Sequence, residues 1–509
     1  MILTAFPAVL ILLSGLLSVR ADLFDDIISA LTTATDCTSC HATVLPPLQT
    51  LSREGDDAFV QTMTAVCEAL QLADDAVCAG EMQRSGPVLA HSLRGFTVNG
   101  TTATKFCDAV FGLCQPPPVT PFNVTFPRPA SSNPKKFTSK GRPTFQVVHL
   151  SDVHIDRKYT VGAEANCGES ICCRTTSSSS GNTTEPAGPF GNARCDSPVD
   201  LAESLLRAVD TIAPGASFTI LTGDVVERDT WLVNKSEVTV DLEAWNLEML
   251  QNLRTAVYPA IGISCLIFYY FISDESDYTQ GTSTRIRAHS RFQAMIRIMI
   301  SDTAPVNAFS RDVTPTPDNS QWVFDIETTG WKPWIGGQAA GEVHDMSGSY
   351  SVQVPGTNLR ILSVNTQYWY KQNFWLYDRD EQIADPNGLL AFMVEQLQLA
   401  EDSSQLVWII GHIPSGKADT AHDQSNYYDQ IVQRYKNTIA AQFFGHSHKD
   451  QFEIAYSDWN NRTAATADSI LFIGPALTPQ SRCRCRLLLQ FVTLNQQLIS
   501  RWQPSIQAL

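Results

Sequence analysis

The tightest constraint on this chain is a set of short apolar runs that each end in a polar or glycine-led turn. They read FQVVHLSD (145–152), FTILTGD (218–224), LRILSVN (359–365), LVWIIGH (406–412) and AAQFFGH (440–446). Runs of this length, rich in β-branched and aromatic residues, predict buried strands. Helical periodicity lies between some of them, as where Leu201, Leu205, Ala208 and Ile212 share one face. Buried strands alternating with helices predict an α/β sheet. The polar residues then fall on loops at the sheet edge, where α/β folds place their chemistry.

Four of these ends carry candidate ligands. Asp152 and His154 form D-x-H, Asp224 follows Gly223, His412 follows Gly411, and Gly445 opens G-H-S-H with His446 and His448. Carboxylate oxygens and imidazole nitrogens ligate zinc and similar transition metals. Each glycine lets the backbone turn sharply before a ligand. Taken singly the elements are weak, because a Gly-Asp pair is usually a turn and a strand-end histidine is usually structural. Together, in this order, they predict a metal site. Two ions about 3.5–4 Å apart that share one carboxylate suit in-line attack on phosphorus. His41, His91, His149, His289, His344 and His422 lack this setting and read as surface or core residues.

The N-terminal part follows another pattern. MILTAFPAVLILLSGLLSVRAD reads as a signal peptide over 1–21, its apolar run being short for a span of ~20 residues. Residues 22–114 read as helical, with Phe59, Met63, Val66, Cys67 and Leu70 on one face. The Pro-rich stretch 115–143 reads as a semi-rigid linker. Apolar residues make up 43% of the chain, enough for a sizeable core, and the net charge of −16 argues against a nucleic-acid partner. Thirteen cysteines suit an oxidising compartment. Cys37, Cys40, Cys67, Cys78, Cys107 and Cys114 precede the Pro-rich stretch, Cys167, Cys172, Cys173 and Cys195 follow D-x-H, and Cys265, Cys483 and Cys485 are left over. Sequons at Asn99, Asn123, Asn182, Asn234 and Asn461 predict a glycosylated secretory protein.

The order D-x-H, G-D, G-H, G-H-x-H resembles the calcineurin-like metallophosphoesterase family. The spacing C-x2-C, C-x10-C, C-x6-C resembles a saposin B-type domain. In this order the two resemble the acid sphingomyelinase family, with GHIPSG, NTIAAQFFGHSH and NFW adding local similarity over about 30–262 and 302–478. The resemblance implies an all-α saposin-like domain (30–116), a Pro-rich linker (117–143) and a sheet sandwich with flanking helices (144–478). It implies one zinc ion held by Asp152, His154, Asp224 and His448, and a second held by Asp224, His412 and His446, with Asp224 bridging. It implies disulfides Cys37–Cys114, Cys40–Cys107, Cys67–Cys78, Cys167–Cys172 and Cys173–Cys195. The implied protein is a secreted or lysosome-like monomer. It hydrolyses sphingomyelin, or another sphingolipid or phospholipid, that the saposin-like domain takes from a membrane surface.

Three departures limit what carries over. In the family, an Asn within G-N-H-[ED] completes the second metal site, and the adjacent His is the proton donor. Here YPAIG ends at Gly262 and DTAPVNAF resumes at Asp302, so that no such Asn-His follows and the catalytic acid is unassigned. Arg228 stands where the family often has a histidine. Likeness ends near Pro479, and the three leftover cysteines lie in the insert 263–301 and the tail 479–509. Abrupt, in-phase breaks of this kind read as misassigned coding sequence, against a surface insertion in a diverged, inactive relative. Two further functions fit the same residues. One is a non-catalytic saposin-type lipid-binding protein, and the other is a metallophosphoesterase for a different phosphodiester.

Overall fold

The computed structural model describes residues 22–130, 144–167, 169, 171–175, 183–228, 230–262, 320–479, 490–495 and 505–507. The signal-peptide stretch, residues 131–143, Asn182, the insert 263–301, Cys265, Cys483 and Cys485 lie outside the described residues. The described residues divide into two compact units, 22–118 with Phe374–Gln382, and the remainder.

The first unit is helical. Its helices include residues 22–33, Leu45–Arg53, Asp56–Ala69, Asp75–Gly95 and Thr101–Phe111. Phe59, Met63, Val66 and Cys67 are buried along one face, whereas Leu70, at the helix end, is half-buried. Disulfides Cys37–Cys114 and Cys40–Cys107 close spans of 77 and 67 residues, and Cys67–Cys78 ties neighbouring helices. Closing such long loops removes conformational entropy from the unfolded chain, which supports a unit too small for a large core. Phe374–Gln382 joins this unit and interrupts the continuous span expected for the sheet domain. Ser92 Oγ donates to the Phe374 carbonyl (2.6 Å), and Thr97 N donates to Asp380 Oδ1 (2.6 Å).

The second unit holds two sheets. Strands β1 (Thr144–Leu150), β2 (Ala216–Leu221) and β3 (Val257–Pro259) run parallel. In the other sheet β4 (Tyr350–Gln353) pairs antiparallel with β5 (Leu359–Ser363), which runs parallel with β6 (Leu406–Ile410) and β7 (Ile439–Phe444). β8 (Gln451–Tyr456) and β9 (Ala467–Ile473) complete it, in the order β4-β5-β6-β7-β9-β8. Side chains alternate along each strand. Val147, Ile220 and Tyr258 from one sheet meet Ile361, Trp408 and Phe443 from the other in a shared core. Val148, Leu150 and Leu221 point the other way, onto helices Val199–Ile212 and Lys235–Asn252. This is the α/β architecture that the strand pattern predicted, in the form of the sandwich with flanking helices that the resemblance implied.

Two details differ from the sequence reading. Helix Val199–Ile212 packs through Leu201, Ala202, Leu205, Leu206 and Val209, while Ile212, placed on the core face by spacing, is 42% exposed. At 3.6 residues per turn Ile212 keeps nearly the angular position of Leu201, but as the last residue of the helix it is not buried with the others. Residues 119–130 of the Pro-rich stretch are not a free spacer. Thr120 N donates to Asp423, Val124 N donates to Gln430, and Arg128 pairs with Asp402. Within the tail, β10 (Gln490–Asn495) pairs antiparallel with all but the last residue of β1, and β11 (Ser505–Gln507) pairs with β10.

Helix Gln321–Asp345 buries Glu327 beside Asn246, whose Nδ2 donates to Glu327 Oε2 at 2.7 Å. Burial pushes the carboxyl from 4.5 up to about 8, against a smaller opposing effect of the Asn246 bond. A raised folded pKa gives stability that is fully present below the unfolded value and is lost as pH rises toward the folded one. Glu327→Gln is therefore expected to flatten the loss of stability between pH 4.5 and 8. At pH 7 the variant should be more stable by about 3 kcal/mol. Urea midpoints at several pH values test this, and identical slopes for both proteins would contradict it.

Candidate metal centre

The loops after β1, β2, β6 and β7 meet at one edge of the two sheets. Close approach there demands glycine. A Cβ on Gly445 would lie 2.0 Å from Ser151 Oγ, and one on Gly262 would lie 1.9 Å from the Asp224 amide nitrogen. Asp152, His154, Asp224, His446 and His448 all have positive φ, from 41° to 70°. Such backbone costs of order 1–3 kcal/mol per residue and clusters at functional sites. Strain at five candidate ligands together is a mark of function that no sequence spacing displays.

Asp152, His154, Asp224 and His448 are buried, with one ligand atom from each lying within 4.8 Å of the others. Asp224 faces two ways. Its Oδ2 lies 3.3 Å from His154 Nε2, and its Oδ1 lies 3.1 Å from His412 Nε2. The His412 and His446 rings are 5.3 Å apart and nearly perpendicular. Four of the six candidate ligands thus form one buried cluster, His412 meets the other oxygen of Asp224, and the His446 ring packs beside His412.

Second partners orient these groups. His154 Nδ1 donates to the Val226 carbonyl (3.0 Å) and His412 Nδ1 to the Thr222 carbonyl (2.7 Å), so each Nε2 presents a lone pair to the site. Asp152 is held from behind by a buried chain of hydroxyls. Thr222 Oγ1 donates to Ser151 Oγ (2.6 Å), Ser151 donates to Asp152 Oδ2, and Thr222 accepts from His149 Nε2 (3.0 Å). His446 N also donates to both Asp152 oxygens at 3.1 Å. His149, read from sequence as an ordinary surface or core residue, is thus a buried anchor of this chain.

The donor set fits cations. His154 Nε2 and His448 Nε2 lie 3.3 Å apart, and both approach carboxylate oxygens. Lone pairs so placed repel unless a cation or proton stands between them. Burial alone would raise the Asp224 carboxyl, yet His412 and His154 hold it well below the usual range. Burial would lower His412, yet Asp224 pushes it up to about 9. The cavity therefore demands positive charge. His446 Nδ1 is a further buried nitrogen without a hydrogen-bond partner among the described residues.

Arg228 is locked by Asp196, with Nε to Oδ1 at 2.7 Å and the Arg228 amide to Oδ2 at 2.7 Å. Its charge, after burial and other neighbours, helps hold His448 below its ordinary value. Disulfides Cys167–Cys172 and Cys173–Cys195 staple the loop that leads to Asp196. The stretch expected to carry Asn-His begins after Gly262 and lies outside the described residues, but its starting point is fixed. Gln367 Nε2 donates to the Gly262 carbonyl at 2.8 Å. The sequons at Asn99, Asn123, Asn234 and Asn461 are exposed.

Comparison with known proteins places the chain. No protein-family model matches it. Sphingomyelin phosphodiesterase B from Dictyostelium discoideum is 27% identical over 440 residues, 84% of this chain and 60% of that protein. Sphingomyelin phosphodiesterase 2 from Caenorhabditis elegans is 30% identical over 403 residues, 74% of this chain and 58% of that protein. Human sphingomyelin phosphodiesterase is 29% identical over 337 residues, 65% of this chain and 46% of that protein. The chain therefore spans between about half and three fifths of these relatives' length. A solved dimetal phosphatase from Danio rerio overlaps 70% of this chain and 94% of its own, at a TM-score of 0.36 and 11% identity, too loose a likeness to carry chemistry. By sequence, the chain is similar to the sphingomyelin phosphodiesterases over part of their length.

Proposed function

We propose that this chain is a zinc-dependent phosphodiesterase of sphingomyelin, slow in the form given by this sequence. The observation that carries the reading is Asp224, whose two carboxylate oxygens face different imidazoles, Oδ2 that of His154 and Oδ1 that of His412. Asp152, His154, Asp224 and His448 would hold one ion, and Asp224, His412 and His446 the second. Bound zinc would supply the positive charge that offsets the phosphoryl oxygens and would acidify a water nucleophile. The protein's own part is orientation. The His149–Thr222–Ser151 chain aims Asp152, and backbone carbonyls fix the tautomers of His154 and His412.

The substrate follows from the relatives' names together with the disulfide-tied helical unit, which we read as a saposin-type lipid-binding domain acting at a membrane surface. Secretion, or a lysosome-like destination, is supported by the stretch we read as a signal peptide, the sequons and the five disulfides. Among the described residues no helix is long and apolar enough to cross a membrane. Glu327, neutral at low pH, supports work in an acidic compartment. We read the chain as a monomer.

The missing Asn-His favours a second reading, a lipid-binding protein without turnover. Sphingomyelin vesicles incubated with the full chain and zinc separate the two. Slow phosphocholine release that a chelator stops supports the enzyme. Vesicle binding with no release, even in a chain given Asn-His, would overturn it.

A further inference from the structure

We propose that Asp419 is the positioning residue that presents His446 Nδ1 to the second metal position, an inference that rests on the two-metal reading above. Asp419 lies in the loop between β6 and helix His422–Arg434, and nothing in the sequence marks it. Its Oδ2 accepts from His446 Nε2 at 2.5 Å. That bond fixes the tautomer, because a proton on Nε2 leaves the lone pair on Nδ1. Nδ1 is the buried nitrogen that has no other partner among the described residues.

The ring has little freedom otherwise. Tyr370 packs edge-on against it at 5.7 Å and 80°, and His412 does so at 5.3 Å and 80°. Neither ring fixes which nitrogen carries the proton. His154 and His412 take their tautomers from backbone carbonyls, whereas His446 takes it from a carboxylate. A carboxylate partner also makes the imidazole more basic and a better ligand. The Asp419 backbone is itself held, since Lys371 N donates to the Asp419 carbonyl at 2.9 Å and Thr420 Oγ1 donates to the Pro414 carbonyl at 2.9 Å. The carboxylate is thus placed before any ion arrives. His446 side-chain exposure is 4% and that of Asp419 is 39%, so the carboxylate forms the outer wall of the second position.

The test is zinc affinity by equilibrium dialysis on the full chain, with no turnover involved. Asp419→Ala is expected to weaken the second zinc about 10–100-fold and leave the first within twofold. Asp419→Asn, which keeps an acceptor oxygen, should recover part of the loss, and thermal midpoints of all three proteins should agree. Should Asp419→Ala unfold, Asp419→Asn alone decides, and it must still weaken only the second zinc. Two zincs bound as tightly by the variants as by the parent would overturn the role of Asp419 and leave the metal reading intact. A parent chain that binds no zinc, or only one, would overturn both.

Discussion

Asp224→Ala is expected to abolish zinc binding at both positions, whereas any other single ligand change should affect one. The reason is geometric. Asp224 Oδ2 stands 3.3 Å from His154 Nε2, and Oδ1 stands 3.1 Å from His412 Nε2. Removing the carboxylate takes a ligand from each set and the shared negative charge from between them. His412, pushed up to about 9 chiefly by Asp224 against its burial, would lose that partner. The affinity loss at each position should exceed a hundredfold, or ~3 kcal/mol. Any phosphodiesterase activity should fall at least about a thousandfold, ~4 kcal/mol of barrier. His448→Ala should weaken the first zinc alone and His446→Ala the second alone. Equal losses from all three variants would show that the six residues do not form two sets. An Asp224→Ala protein that still binds two ions would remove Asp224 from the site.

The second large effect is a gain. Replacing 263–301 by Asn-His is expected to tighten the second zinc about 10–100-fold. It should raise sphingomyelin hydrolysis about 10²–10⁴-fold, the usual worth of a positioned general acid. The structure shows why that place matters. Gly262 sits so close to the β2 turn that a Cβ on it would meet Asp224 Oδ1 at 2.6 Å, and Gln367 holds its carbonyl from the other side. Whatever follows Gly262 therefore leaves β3 beside the oxygen that serves the second position. An amide oxygen introduced there would complete that set, and the next imidazole would stand near the leaving oxygen. Zinc affinity that rises without turnover would assign the Asn and leave the acid elsewhere. No change in either would show that the stretch from Gly262 does not reach the site.

Much of the site was legible in the sequence because its signals are local. Each ligand follows a buried run at a sharp turn, and glycines mark close approach, of backbone to backbone at Gly223 and of backbone to the Ser151 and Asp152 side chains at Gly445. The helical N-terminal part was legible for the same reason, through its apolar face and cysteines. The rest depends on contacts that only folding creates. β8 was missed because it is a short strand with no buried residue, its alternating Phe452, Ile454 and Tyr456 being exposed or half-buried. His149, Thr222 and Ser151 look like ordinary strand residues until β1 and β2 lie side by side. Asp419 reaches His446 only because β6 and β7 are neighbours. Residues 119–130 looked like a spacer because proline-rich composition says nothing about which helix side chains will accept their amides.

The claim that most needs testing is that the buried Asp/His cluster is a metal centre. Zinc content of the purified full chain, measured across a range of free zinc beside Asp224→Ala, tests it directly. The account predicts two binding steps, the first tight and the second weaker, and none in the variant. A parent chain that takes up no more zinc than Asp224→Ala would contradict it.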